Sequence, residues 1–157
     1  CGFRGDPTRV CRCTPNQMTH YRARLSGPLL DRIDLHVDVA PVRYGDLSAE
    51  PAGETSTIVR TRVLAARERQ RFRFAASTTT CNAEMSGREL RRFARPDPAG
   101  ATILERTMSR LGLSARAYTR VLEVARTIAD LEAAEHLGVA HVAEAIQYRA
   151  LDRERQA

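Results

Sequence analysis

The sequence contains no lysine and no tryptophan, and only 5% of its 157 residues are aromatic. Proteins that bind single-stranded nucleic acid by base stacking rely on aromatic side chains, so this class of protein is not favoured. No run of residues approaches the roughly 20 apolar residues of a transmembrane helix, and no secretory signal is visible. We therefore expect a cytoplasmic protein without a membrane partner.

All 25 basic residues are arginines, and the formal net charge at pH 7 is +6. Two explanations of this composition stay open: a codon bias towards arginine, or a surface that binds phosphate through bidentate guanidinium groups. A similar choice, between a solvated helix surface and contact with nucleic acid or an acidic neighbour, applies to one arginine-rich stretch. Its members are Arg60, Arg62, Arg67, Arg69, Arg71 and Arg73.

Capping signals and hydrophobic periodicity predict a mainly α-helical chain. Thr14 before a proline, and later Ser86 and Ser114, are typical helix starts, and Gly112 is a typical helix end. An amphipathic stripe follows Ser114 at helical spacing, which predicts a helix with one buried face. We expect helices over about 14–25, 56–74, 86–94, 99–111, 114–133 and 139–152, with a turn at 29–32 and an exposed loop over 43–54.

Residues 34–39 alternate strictly between polar and apolar side chains, which is typical of a β-strand with His36 on its polar side. One short strand cannot form a stable sheet, so its partner strands must lie outside this sequence. The sequence also begins at a cysteine and not at an initiator methionine. We therefore expect a fragment, in which residues 1–42 end an α/β core with its last strand and residues 43–157 form a helical-bundle lid.

Three of the four cysteines, Cys1, Cys11 and Cys13, form the pattern C-x9-C-x-C near the start of the chain. Clustered thiols in a chain without secretory signs favour a metal site over disulfides. The alternative is a reduced, metal-free loop. Cys81 stands apart from this pattern, and we expect it to be a buried or partly buried thiol.

Three blocks of sequence resemble one known family. Residues 26–35 (SGPLLDRIDL) are similar to the segment before the last core strand of magnesium-chelatase-like AAA+ ATPases and, more distantly, to a segment of the MCM helicases. Residues 113–131 and 141–149 resemble later parts of the same family, in the same order and spacing. The chain as a whole resembles the C-terminal part of the ComM/YifB competence branch, with the arginine-finger end of an AAA+ core and its lid.

The resemblance implies a catalytic role for Arg32. In the family this arginine is the finger that reaches the γ-phosphate of ATP bound by the neighbouring subunit. A permanently charged, planar guanidinium suits the charge that develops on the transferred phosphoryl group. The alternative is an ordinary surface ion pair of Arg32 with Asp31 or Asp34.

The resemblance also implies nucleotide contacts from the lid. Arg116 corresponds to the sensor-2 arginine, which touches the nucleotide phosphates, and the alternative is a solvated arginine at a helix start. A positive charge at the start of a helix is slightly unfavourable because of the helix dipole, and this cost favours a functional role for Arg116 over a purely structural one. Arg120 lies one turn further on the same face, where it would assist Arg116 or pair with Glu123.

Cofactors and partners follow from the same resemblance. The family's ATP- and Mg²⁺-binding Walker motifs lie upstream, and no G-x-x-x-x-G-K-[ST] loop occurs here, so the fragment alone should not hydrolyse ATP. The family has a further cysteine shortly before Cys1, and four thiolates would suit a structural Zn²⁺ ion. The intact protein is expected to be a homo-oligomer, a hexameric ring, that remodels DNA, for example by branch migration in recombination and competence.

Two other functions stay open. A chelatase-type ATPase would remodel a protein partner during metal insertion into a porphyrin. A non-catalytic, basic helical interaction domain would explain the arginine content, but not the ordered match at Arg32 and Arg116.

Overall fold

Helices dominate the computed structural model of the chain, which describes residues 1–6, 8–40, 42, 44–48 and 53–149. The helices are α1 Pro15–Arg22, α2 Gly27–Leu30, α3 Tyr44–Ser48, α4 Ser56–Arg73, α5 Gly87–Phe93, α6 Pro98–Leu111, α7 Ala115–Leu131 and α8 Val139–Gln147, with a 3-10 turn at Asn82–Glu84. α2 replaces a predicted turn, and α3 lies in a region predicted to be a loop. None of the helices among the described residues could cross a membrane, given their length and polarity.

Short polar side chains fix where the helices begin. Thr14 and Ser86 each form a complete capping box with the third residue of α1 and α5, and Ser114 Oγ accepts the N–H of Ala117, in the first turn of α7, at 3.1 Å. Gly112 ends α6 at φ 51°, a left-handed conformation that glycine adopts without strain. The predicted starts at Thr14, Ser86 and Ser114 and the predicted stop at Gly112 are therefore confirmed.

Helix α7 is the centre of the bundle, packing against α4, α5 and α8, while α6 packs against α8. Most of the predicted apolar stripe of α7 is buried, although Tyr118 stays 39% exposed. Helical spacing predicts Val142, Ala143, Ile146 and Ala150 on the inner face of α8. Val142 and Ile146 are buried, as is Ala145, while Ala143 is half-buried and Ala150 lies outside the described residues. The buried members of the α7 stripe are Ala117, Val121, Leu122, Ala125, Ile128 and Ala129.

A buried carboxylate joins α4 to α7. Asp130 is completely buried, and its two oxygens accept hydrogen bonds from Arg73 (2.7 Å), Asn82 (2.8 Å) and Arg126 (3.2 Å). Burial alone would raise the pKa of Asp130, but the hydrogen bonds from Arg73 and Asn82 and the charge of Arg126 bring it below its ordinary value. Arg69 adds a bond to the Asp130 carbonyl at 3.0 Å. The carboxylate is thus kept ionised inside the bundle.

Contacts within the chain occupy most of the arginines of α4. Two of them bind Asp130, while Arg62 forms a bidentate pair with Glu54, at 3.1 and 2.6 Å, and Arg71 pairs with Glu68. Arg67 Nη1 also donates to Gln70 Oε1 at 3.2 Å, so five of the six arginines are engaged by other groups of the chain. The interpretation of α4 as a stripe of free cations for nucleic acid loses much of its basis.

Helical spacing predicts a seam of Val59, Val63, Ala66 and Gln70 on the inner face of α4, and only half of this seam is buried. Ala66 and Gln70 are 3% and 4% exposed, whereas Val59 and Val63 are 39% and 45% exposed. The buried half is the one next to the arginines that reach Asp130. The hydrogen bonds of Arg69 and Arg73 with Asp130 therefore hold only the C-terminal part of α4 against the bundle.

The strand predicted at residues 34–39 is not formed among the described residues. The segment has no regular secondary structure, since a strand needs a ladder partner and none of the described segments supplies one. The side chains also face the opposite way from the prediction. His36 is 7% exposed, whereas Leu35, Val37 and Val39 are 48%, 65% and 84% exposed. A backbone hydrogen bond from His36 N to the Tyr148 carbonyl, just after α8, holds His36 in this position.

Hydrogen bonds to Glu89 predict an acid-sensitive element of the fold. Hydrogen bonds from Ser77, Ser86 and Thr79 lower the pKa of Glu89 from 4.5 to about 2. Because the pKa is lowered on folding, the ionised carboxylate stabilises the fold fully above pH 4.5, and this contribution is lost as the pH falls towards about 2. We therefore expect Glu89→Gln to lose less stability than the native chain between about pH 6 and pH 3 in urea unfolding.

The matched control is Glu105→Gln, which removes an exposed carboxylate on α6. Its stability should fall with pH in parallel with that of the native chain. Parallel curves for Glu89→Gln and the native chain would show that the hydroxyl cluster does not hold the Glu89 carboxylate in solution.

Candidate phosphate-binding arginine site

Arg32 follows a single helical turn that is fixed at its start and its end. Ser26 caps α2, and Pro28 lies in its first turn, where its fixed φ favours helix. Leu30, at the end of α2, is 3% exposed and anchors the turn. Arg32 itself is exposed, and its Nη1 donates a hydrogen bond to the Pro28 carbonyl at 2.8 Å.

Neither neighbouring acid pairs with Arg32. Asp34 Oδ1 lies 3.1 Å from Arg120 Nε, and Asp31 Oδ1 lies 4.0 Å from Arg149 Nη2. Within the described part of the chain, the surface ion pair considered as an alternative for Arg32 is therefore not formed. A guanidinium carries five N–H donors, so Arg32 keeps most of its donors and its full charge for an anion.

The backbone around this arginine is held by a residue that the sequence reading missed. Arg149, just after α8, is 1% exposed, and its Nη1 donates to the carbonyl of Ile33 at 2.6 Å and, more weakly, to that of Leu30 at 3.5 Å. These carbonyls lie at and just past the end of α2, where helical partners run out. In addition, His36 N donates to the Tyr148 carbonyl at 2.8 Å. Hydrogen bonds from the end of α8 therefore hold the chain on both sides of position 32.

Helix α7 also touches this segment. Arg120, half-buried on α7, pairs with Asp34 and with Glu123, whose Oε2 lies 2.8 Å from Arg120 Nη1. The pairing with Glu123 was one of the predicted alternatives, and that with Asp34 is new. Burial raises the pKa of Glu123, and the charge of Arg120 offsets part of this effect. Arg116, one turn earlier, is exposed, and no hydrogen bond or ion pair among the described residues joins it to Arg32.

The three N-terminal cysteines form a second cluster. Their sulfur atoms all lie within 4.8 Å of one another, with Cys1 Sγ and Cys11 Sγ 3.5 Å apart. Cys13 completes the group immediately before α1. Cys81 is partly buried on its own, as predicted.

Family comparisons match both parts of the chain. The profile described as magnesium chelatase, subunit ChlI C-terminal, matches residues 53–149, and the profile described as magnesium chelatase, subunit ChlI, matches residues 1–47. The chain therefore belongs to the magnesium chelatase ChlI family, as the three sequence blocks predicted. Its mainly helical structure agrees with the C-terminal domain of that family. The division predicted between residues 42 and 43 stays a prediction.

Within this family, the chain is similar to the uncharacterised protein YifB of Salmonella typhimurium, with 46% identity over 143 residues, which are 90% of this chain and 28% of that protein. YifB of Escherichia coli is 45% identical over the same shares. The competence protein ComM of Haemophilus influenzae is 42% identical over 90% of this chain and 27% of that protein. The chain thus spans little more than a quarter of the length of these relatives.

The buried position of Arg149 predicts a large effect of its removal. Arg149→Met keeps an apolar side chain of similar length but removes the donor to the Ile33 carbonyl and the weaker hydrogen bond to the Leu30 carbonyl. We expect a loss of about 2–3 kcal/mol in the free energy of unfolding, measured in urea. Hydrogen exchange should also show faster exchange of the His36 amide, because the segment would detach from α8.

The control is Arg106→Met, which changes an exposed arginine on α6 and should stay within about 0.5 kcal/mol of the native value. If Arg149→Met left both the unfolding free energy and the exchange rate of the His36 amide unchanged, the hydrogen bonds between the end of α8 and this segment would not form in solution.

Proposed function

We propose that this chain is the C-terminal part of a cytoplasmic, ring-forming AAA+ ATPase, and that Arg32 is its arginine finger. The observation that carries the proposal is an exposed guanidinium on a backbone segment that a buried arginine, Arg149, holds in place. Charge stabilisation of a transition state depends on donors that are already positioned before the reaction. A cation on a fixed turn meets this requirement, whereas one on a loose surface loop would not.

The surroundings of Arg32 preserve its charge for a phosphate. Asp34 is held by Arg120, and Asp31 lies beside Arg149, so neither acid neutralises the finger. A guanidinium matches phosphate oxygens with two parallel N–H donors. Placed across a subunit boundary, Arg32 would stabilise the charge on the transferred phosphoryl group of ATP bound by the next subunit.

The chain alone does not make the whole ATP site. No phosphate-cradling Walker loop occurs in the sequence, so ATP and Mg²⁺ would be held by other parts of a longer protein. This chain would supply cations, with Arg116 at the start of α7 as the sensor-2 contact to the nucleotide phosphates. Since Asp34 and Glu123 already hold Arg120, its assistance would be indirect, through the placement of α7 against the Arg32 segment.

The finger role makes a sharp kinetic prediction for the full-length protein. Arg32→Ala should lower the ATPase rate by about 10³-fold or more with little change in ATP binding, because the finger acts on the transition state. Steady-state ATPase assays and nucleotide-binding titrations measure the two quantities. In mixed rings, Arg32→Ala subunits should regain activity next to Walker-defective subunits, because each supplies what the other lacks.

Arg24→Ala is the matched control, because Arg24 is another exposed arginine just upstream of the same turn, and its ATPase rate should stay normal. Arg116→Ala should weaken nucleotide binding as well as turnover, which separates its role from that of Arg32. Full ATPase activity in Arg32→Ala would exclude the finger and favour the non-catalytic basic domain.

We propose that the work of this motor is DNA remodelling, with branch migration in recombination and competence as its concrete form. One relative in this family carries the name competence protein ComM. Three of the six arginines of α4 are paired with carboxylates, so we look for free positive charge on other helices as well. Four arginines of the α5 region are exposed and form no ion pair among the described residues, and we propose this group as the phosphate contact: Arg88, Arg91, Arg92 and Arg95.

Salt dependence tests this contact on branched DNA. Each lost phosphate contact should reduce the slope of log affinity against log salt concentration by about 0.9, so Arg88→Gln with Arg91→Gln should reduce it by about 2. Arg62→Gln with Arg71→Gln removes the same charge from residues already paired with acids and should change the slope much less. The slope comes from fluorescence titrations of the full-length protein.

Equal slopes for the two double variants would remove α5 as the DNA contact. If the full-length protein showed no salt-dependent binding to branched DNA, the DNA proposal would fail. The chelatase-type alternative, in which the ATPase remodels a protein partner, would then be preferred.

A further inference from the structure

A groove with mostly apolar walls is formed by one face of α6, the loop before it and one side chain of α7. Its volume is about 890 Å³, within the range of clefts that bind small organic groups. Leu104 is 2% exposed, and Met108 and Pro96 are half-buried, so these side chains offer the groove apolar surface at different depths. The other residues that line it are Arg95, Pro98, Ala101, Glu105, Ser109 and Tyr118.

Tyr118 of α7 gives this groove its aromatic ring. The side chain is 39% exposed, so part of the ring stays open to solvent. Arg116 lies two positions earlier on the same helix, and residues two positions apart on a helix do not face each other. The groove is therefore separate from the side of α7 that carries the proposed nucleotide contact.

The charges of the groove continue the basic surface of α5. Arg95 lines the groove and is also the last of the four exposed arginines proposed above as the phosphate contact. Glu105 lines the groove too, and neither side chain forms an ion pair among the described residues. An anion bound at Arg95 therefore has an aromatic ring and apolar surface beside it, with a carboxylate acceptor for N–H groups. A nucleotide combines a phosphate, a flat aromatic base and N–H donors, so it complements each part of this groove.

Strand exchange at a DNA junction exposes such bases. Base pairs at the branch point must open before new ones form, and a base that leaves the duplex loses its stacking and its pairing. Stacking on an aromatic side chain strengthens binding by about 5- to 150-fold per base, whatever the base. The low aromatic content of the chain argues against an extended stacking platform, but one ring is enough for one base.

We propose that this groove binds one unpaired nucleobase at a DNA branch point, with the base stacked on Tyr118 and its phosphate bound by Arg95. Glu105 accepts a hydrogen bond from an N–H group at the base edge, which all four unpaired DNA bases carry, so the groove is indifferent to sequence. This inference rests on the DNA proposal above, and it names the form of DNA that the surface recognises.

Two junctions with the same number of phosphates test the groove in the full-length protein. One carries an unpaired cytosine at the branch point, and the other carries an abasic site at that position. In fluorescence titrations at one salt concentration, the native protein should bind the cytosine junction at least about 5-fold more tightly. Tyr118→Leu keeps an apolar side chain but no ring, so it should bind both junctions equally, with the salt slope unchanged. Tyr118→Phe keeps the ring and should keep the preference.

Tyr44→Leu is the matched control, because Tyr44 is an exposed tyrosine outside the groove, and this variant should show the native preference. Circular dichroism shows whether Tyr118→Leu keeps its helices, and the comparison of the two junctions by the native protein does not depend on the folding of any variant.

Equal binding of the two junctions by the native protein would overturn the groove proposal and leave the phosphate contact standing. An apolar peptide with acidic residues would then be the occupant that suits the groove. A preference for cytosine that persists in Tyr118→Leu would overturn the groove proposal as well. If the protein bound neither junction, the DNA proposal and the groove proposal would fail together.

Discussion

The buried guanidinium of Arg149 is the contact on which the geometry of the candidate site depends. A charged group at 1% exposure is tolerated only when hydrogen bonds replace its lost water, and Arg149 meets that need at the carbonyls of Ile33 and Leu30. The Ile33 carbonyl lies just past the end of α2, where the helix supplies no further N–H, and the Leu30 carbonyl also accepts the Ile33 amide at 3.1 Å. The requirement is mutual, so the end of α8 and the turn before Arg32 each complete the hydrogen bonding of the other.

Arginine fills distinct physical roles in this chain. Arg73 and Arg126 bind a buried carboxylate on α7, Arg149 donates to two carbonyls, and Arg32 and Arg116 are exposed. A guanidinium can serve several acceptors at once in a fixed plane, which a lysine ammonium on its flexible stem does less well. The count of 25 arginines therefore overstates the number of free cations that this surface offers to a partner.

The proposed finger and the proposed sensor lie on elements that are tied together. Arg120 on α7 pairs with Asp34, two residues beyond Arg32, while Arg116 is one turn away from Arg120. A shift of α7 would therefore strain or break this pair and the contacts of α8 at the same segment. If the chain works as a lid in a ring, the Arg120–Asp34 pair would couple contact of Arg116 with the nucleotide to the position of Arg32.

The sequence by itself determined the local features, because their causes lie within a few residues. Caps such as Ser114, the glycine stop after α6 and the apolar stripe of α7 depend on neighbours along one helix, and so were predicted correctly. Arg32 and Arg116 were found only through resemblance to a family. The tertiary structure alone decided that the segment at 34–39 has no ladder partner among the described residues, that His36 is buried and that Arg149 closes the turn before Arg32. These features join residues more than a hundred positions apart, and neither periodicity nor capping rules carry information over that distance.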